Sequence, residues 1–95
     1  MALKLDYKTA RQGYLKLRAL AHPLRIKFLK FIDSRKECNV NAIHRTLRLE
    51  QSVTSQHLKI LRDADLVKFR RDGKRVLYRV NYPKVQKMMA CAEQL

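Results

Sequence analysis

The stretch Glu50–Val67, EQSVTSQHLKILRDADLV, decides how the rest of the chain is read. It opens with small polar residues, continues with leucines at helical spacing, and ends where strand-forming residues begin. Placed on a helix from Ser52 to Arg62, Thr54, Leu58 and Leu61 fall on one side at i, i+4 and i+7. Ser52, Ser55, Gln56 and Lys59 fall on the other. Gln51 just precedes this polar face, Val53 lies beside it, and His57 borders the apolar one. The apolar side packs. On the polar side, Ser and Gln can hydrogen-bond base edges or phosphates, Lys59 can reach a phosphate, and Val53 can touch a thymine methyl. The plain alternative is an ordinary solvated helix face, and the flanking sequence weighs against it.

Upstream, Val40, Ile43 and Leu47 mark one side of a short helix, and RLEQ makes a tight connection into the quoted segment. Two short helices joined so briefly predict a helix-turn-helix, with Ile43 and Leu47 packing on Leu58 and Leu61. Downstream, VKFRRDGKRVLYRV predicts a β-hairpin turning at Asp72-Gly73, a pair that tolerates the positive φ of a type I′ turn. That turn pairs Val67 with Tyr78, Phe69 with Val76 and Arg71 with Lys74. It leaves Lys68, Arg70, Arg75, Leu77 and Arg79 on the outer face. The tip and outer face, with Arg70, Arg71, Lys74 and Arg75, are expected to grip a nucleic-acid backbone.

The ends of the chain read as helices. Between residues 3 and 21, Leu3, Tyr7, Ala10, Tyr14, Leu17 and Ala21 share one stripe. HPLRIKFLKFI starts a second helix with Pro23 in its first position, where a missing N–H costs nothing, and with a core face of Leu24, Phe28, Leu29, Phe31 and Ile32. NYPKVQKMMACAEQL predicts a closing helix capped by Asn81 or Tyr82, with Val85, Met88, Met89, Ala92 and Leu95 on one stripe. The two terminal stripes either lie on the chain's own core or pack across a homodimer, and their length favours the dimer.

Composition narrows the function. Ninety-five residues, 46% of them hydrophobic, fit one small folded domain over 1–95. Two glycines and two prolines leave few turns, so the fold is expected to be mainly α with a small β-hairpin. Lys and Arg number 22 against 8 acidic residues, a formal net charge of +14 that a polyanion would offset. The basic residues are spread over all elements instead of one helix face, which disfavours a membrane surface. No apolar run is long enough to span a bilayer, and MALKLDYKTARQ lacks the apolar middle of a signal peptide, so a cytoplasmic protein is expected. No Ser-His-Asp set, phosphate-binding glycine loop or spaced carboxylate pair argues for an enzyme, and no cofactor is expected. The reading is a dimeric, sequence-specific DNA-binding transcriptional regulator. The alternative is a non-specific or architectural nucleic-acid binder.

The runs LAHPLRIKFL, SVTSQHLKILRDADLV and RRDGKRVLYRV resemble the ArsR/SmtB family of winged-helix bacterial repressors. The resemblance covers nearly the whole chain and is most specific at Ser55-Gln56-His57-Leu58-Lys59 and in the wing. It implies a winged helix-turn-helix of about five helices. It also implies a homodimer paired through the first and last helices, a recognition helix in each major groove of a palindromic operator, and an effector, here unknown, that releases the DNA.

Several residues depart from the family pattern. Asn39 and Asn41 stand where metal-sensing members carry a CxC, and neither offers a thiolate. The last helix has no His, and Glu93 is its only acidic residue, so the other family metal site also lacks ligands. His22, His44 and His57 show no ligand spacing. His22 reads as a helix-start residue, His44 as an exposed one, and His57 as a local hydrogen-bonding group or a phosphate contact. No metal site is expected. Cys38, near a helix start, invites a depressed thiol pKa, and a reversible switch with Cys91 is one reading; two idle thiols are the plainer one. Arg48 and Asp65 occupy turn positions where the family commonly has Gly, and Glu50 stands where a Ser cap is common.

Overall fold

The computed structural model describes residues 3–95. Helix α1 runs Tyr7–Leu20, α2 Pro23–Arg35, α3 Val40–Leu47 and α4 Gln51–Asp63. Strands β1 (Val67–Asp72) and β2 (Arg75–Val80) form an antiparallel hairpin, and α5 (Tyr82–Glu93) closes the chain. The order α1–α5 with a hairpin after the fourth helix is a winged helix-turn-helix.

Local chemistry sets each boundary. α1 starts at Tyr7, not at Leu3, because the Asp6 carboxylate accepts from the backbone N–H groups of Lys8 and Thr9 and so caps the helix. Leu3 therefore lies ahead of the helix, outside its stripe. His22 caps α2, its Nδ1 accepting from the Leu24 N–H at 3.1 Å, and Pro23 follows in the first turn. Asn39 caps α3 through Oδ1 to the Ala42 N–H at 2.9 Å. Glu50 precedes α4 without a side-chain cap. The turn between α3 and α4 is made by Arg48 in the left-handed region at φ 56°, and the turn after α4 by Asp65 at φ 61°. Both positions, where the family commonly has Gly, adopt a glycine-like backbone. Lys36, at φ 67° and ψ −48°, is a third such residue, and no local sequence signal marked it.

The core lies where α2, α3 and α4 meet the base of the hairpin. Phe28, Ile32, Ile43, Leu61 and Leu66 are fully buried, and Leu58 nearly so. Each such side chain contributes roughly 1.5–3 kcal/mol by leaving water. Leu47, Val40 and Phe31 pack on this cluster while half-exposed. Thr54 joins the buried side of α4, its hydroxyl donating to the Glu50 carbonyl at 3.0 Å.

The hairpin register differs from the sequence expectation. Val67 pairs with Val80, Phe69 with Tyr78, Arg71 with Val76 and Asp72 with Arg75. The turn is thus Gly73-Lys74, with Gly73 taking φ 65°, and not Asp72-Gly73. The slip is of two residues, so the alternation of faces survives it. Two side chains keep their faces but differ from expectation in burial: Phe69, expected inside, is 49% exposed, and Leu77, expected outside, is 9% exposed. Cys38 forms an isolated bridge with Tyr78, which adds a short third edge to the sheet. Tyr82 donates to Asp33 at 2.5 Å, tying the start of α5 to the end of α2.

α1 and α5 remain thinly covered. No residue of α5 is fully buried, and only Ala19 and Leu20 of α1 are. The expected stripes divide. Val85 and Met88 pack on the chain's own core and Leu17 is half-buried, while Tyr7, Ala10, Tyr14, Met89, Ala92 and Leu95 are exposed. The described chain measures 53 × 26 × 22 Å, with a radius of gyration of 15.0 Å. A compact chain of this length would have about 12 Å.

Candidate nucleic-acid interface

α4 carries two faces, as its spacing requires. Thr54, Leu58 and Leu61 are buried. Gln51, Ser52, Ser55, Gln56 and Lys59 are exposed, and Val53 is half-buried beside them. Among the described residues, the side chains of Gln51, Ser52, Ser55 and Gln56 make no intramolecular hydrogen bond, so their donors and acceptors are free for a ligand. Lys59 donates to Asp63 at 3.1 Å, an exposed i,i+4 pair of little strength.

The four expected wing cations are not equivalent. The Arg70 guanidinium grips Glu37 with two hydrogen bonds, 2.7 and 2.8 Å. That bond holds the Glu37 carboxyl below its usual range. Arg75 is paired with Asp72 at 2.9 Å across the turn. Arg71 and Lys74 are exposed and have no acidic partner among the described residues. The tip and the helix share a surface, since Asn39, Asn41, Gln51, Lys74 and Arg75 line one shallow groove. The start of α3, the start of α4 and the wing tip therefore present polar and cationic groups to the same side.

His57 departs from the rest of its face. It is half-buried and turned toward α2. Its Nδ1 lies 3.3 Å from Arg25 Nη1, and its ring meets those of His22 and Phe28 edge-on at 5.0 and 5.8 Å. Of the two roles expected for it, the local hydrogen bond is the one observed, which removes it from the outward face. Its partner Arg25 was missed by the sequence reading. A signal existed, since Arg25 falls on the apolar stripe with Phe28, Leu29 and Ile32 at i, i+3, i+4 and i+7.

The family's ligand positions are otherwise engaged. Asn39 caps α3, and Asn41 Oδ1 lies 3.3 Å from His44 Nε2, leaving His44 half-buried where exposure was expected. Among the described residues no three His, Cys, Asp or Glu side chains converge. Cys38 is buried, and burial pushes its thiol up to about 11, the reverse of the depressed value expected at a helix start. It precedes the Asn39 cap and lies in the bridge to Tyr78, where burial outweighs the favourable charge of Arg35. Cys91 is free and exposed. No described helix is long and apolar enough to cross a membrane.

Comparisons with known proteins agree with this geometry. A family model described as a helix-turn-helix domain matches residues 20–69. The transcriptional repressor PagR of Bacillus anthracis is 35% identical over 83 residues, which is 87% of this chain and 83% of that protein. Its crystal structure superposes with a TM-score of 0.73 over 92% of this chain and 99% of that one. The HTH-type transcriptional repressor SmtB of Mycobacterium tuberculosis is 42% identical over 64 residues, 67% of this chain and 47% of that protein. A homodimeric winged helix-turn-helix DNA-binding domain from Mycobacterium bovis, described as a possible ArsR-family regulator, superposes with a TM-score of 0.77 at 27% identity, over 97% of this chain and 87% of that one. The helix-turn-helix, the wing and these similarities together place the chain in the ArsR/SmtB family of winged helix-turn-helix transcriptional regulators.

Proposed function

We propose that this protein is a homodimeric repressor that docks α4 of each protomer into successive major grooves of a palindromic operator in the bacterial cytoplasm. The observation that carries this reading is the groove shared by Gln51, the start of α3 and the wing tip at Lys74 and Arg75. It supports a reading helix and a backbone clamp that act from one side of the molecule. Gln51, Ser52, Ser55 and Gln56 read base edges, with Val53 against a thymine methyl. Arg71 and Lys74 neutralise phosphates, while Arg70 and Arg75 are held by Glu37 and Asp72 and serve mainly to stiffen the wing.

The dimer uses the exposed apolar surface of α1 and α5, with Tyr7, Ala10, Tyr14, Met89, Ala92 and Leu95 at its centre and Leu17, Val85 and Met88 at its base. The elongation of the single chain and the thin cover of both terminal helices support this arrangement. Two copies related by a two-fold axis place their α4 helices about one helical turn of DNA apart, or a multiple of it, which is why the operator is expected to be palindromic. Binding-site selection from a random duplex pool tests the reading. It predicts an enriched sequence with two-fold symmetry. Enrichment without symmetry, or none at all, would favour non-specific binding.

A further inference from the structure

Arg25 is the only charged side chain of the described core that is buried, at 8% exposed, and no carboxylate pairs with it. Its hydrogen bonds go elsewhere. Nε donates to the Ala19 carbonyl at 2.5 Å, Nη2 to the Arg18 carbonyl at 3.2 Å, and Nη1 reaches His57 Nδ1 at 3.3 Å. Ala19 and Arg18 end α1, so a planar donor fork closes the C-terminal carbonyls of that helix and suits its dipole. His57 lies in the middle of α4. One guanidinium on α2 thus joins α1, which carries the dimer surface, to α4, which carries the reading face. An arginine has no acceptor, so His57 Nδ1 must be the acceptor and its ring proton sits on Nε2.

We infer that Arg25 is a positioning residue for sequence reading, holding α4 at a fixed angle to α1 through neutral His57 while touching no DNA itself. The inference rests on the recognition-helix reading above. It follows that the contact is open to protonation. An imidazolium has donors at both nitrogens and would meet the Arg25 fork donor to donor and charge to charge. The charged and titratable groups facing His57 are Arg25 and His22 from the α2 end, with the Arg18 cation next to Arg25; no carboxylate among the described residues offsets them. Burial first, then Arg25 and His22, accordingly hold the imidazole below its ordinary value. The sign is definite. The folded pKa is depressed, so the contribution of the contact is present above about pH 6.5 and is lost as pH falls through the folded value.

The experiment measures the ratio of affinities for the selected operator and for scrambled duplex at about pH 7.5 and at a lower pH where the NMR shift of the His57 ring shows it charged, at constant salt, for the native protein, Arg25→Lys and His57→Asn. The Asn side-chain oxygen stands in for Nδ1 as an acceptor and does not titrate. The native ratio should fall about tenfold on acidification, as for loss of a bidentate base contact. His57→Asn should keep the ratio at both pH values. Arg25→Lys, which retains charge but not the fork, should lower the ratio about tenfold at neutral pH while scrambled DNA binds within about twofold. A native ratio independent of pH, or a His57→Asn ratio that falls like the native one, would overturn the inference even if Arg25→Lys fails to fold. A native protein with no operator preference at neutral pH would instead sink the recognition-helix reading on which it stands.

Discussion

Single residues carry much of what is particular to this chain. Lys36 holds φ 67° with ψ −48°, close to the strained γ-turn geometry, and its backbone N–H donates to the Asp33 carbonyl at 3.2 Å. Lys36→Gly should relieve that strain and raise stability by about 1 kcal/mol, read from the urea unfolding midpoint. A lowered midpoint would mean that the extra chain entropy of glycine outweighs the strain. Cys38 offers a second check. With its thiol pushed up to about 11 in a buried bridge, it should react with a disulfide reagent at neutral pH far more slowly than exposed Cys91. Equal rates for the two thiols would show that the strand edge at Cys38 opens freely. Legibility at this scale was uneven. Asn39, Arg48 and Asp65 were visible because a known pattern has other residues there. Lys36 and the Arg25–His57 pair were not, since both depend on where the chain returns in space, and an Arg or Lys at such positions reads as surface charge.

Elements were legible wherever a periodic face had one place to go. α4 met its expected split because Thr54, Leu58 and Leu61 have the α3 and hairpin core to fill, while among the described residues the polar side meets only its own Lys59–Asp63 pair. α1 was read too long, because hydrophobic spacing continues to Leu3 while the helix itself is stopped by Asp6. The hairpin register slipped by two for a similar reason. Asp72-Gly73 and Gly73-Lys74 both place Gly in the turn, and strand alternation cannot separate two registers of equal parity. Two predictions belong here. Glu50→Ser should add the missing cap to α4, stabilise the fold by about 1 kcal/mol and tighten DNA binding by removing a carboxylate near phosphates. Thermal unfolding and a binding titration check both parts; unchanged affinity would place Glu50 away from the backbone. In the wing, Arg71→Ala or Lys74→Ala should each lower the salt slope of binding by about one unit on any duplex, while Arg70→Ala should change it less because Glu37 already holds that guanidinium. A full unit lost with Arg70→Ala would mean that the Glu37 pair opens on DNA.

At the scale of the molecule, excess cationic charge, a reading helix and uncovered terminal helices point to one assembly. A net charge of +14 on 95 residues brings the protein to DNA without selecting a site. On the proposed reading, selection depends on the exposed polar face of α4 and on the spacing that a dimer imposes on two such faces. Tyr14→Glu with Met89→Glu should convert a sedimenting species of twice the 11.3 kDa chain mass into a monomer and weaken operator binding more than scrambled binding. A native monomer would contradict both the terminal-helix interface and the two-fold operator. The central claim is that α4 reads sequence while the wing supplies charge, and it is tested most directly by Gln56→Ala. Its side chain is exposed and, among the described residues, has no hydrogen-bond partner, so truncation should leave the fold intact. The measurement is the affinity of native and Gln56→Ala protein for the selected operator and for scrambled duplex at one fixed salt concentration. A loss of about 1–3 kcal/mol on the operator and almost none on scrambled DNA is expected. An equal loss on both would contradict the claim.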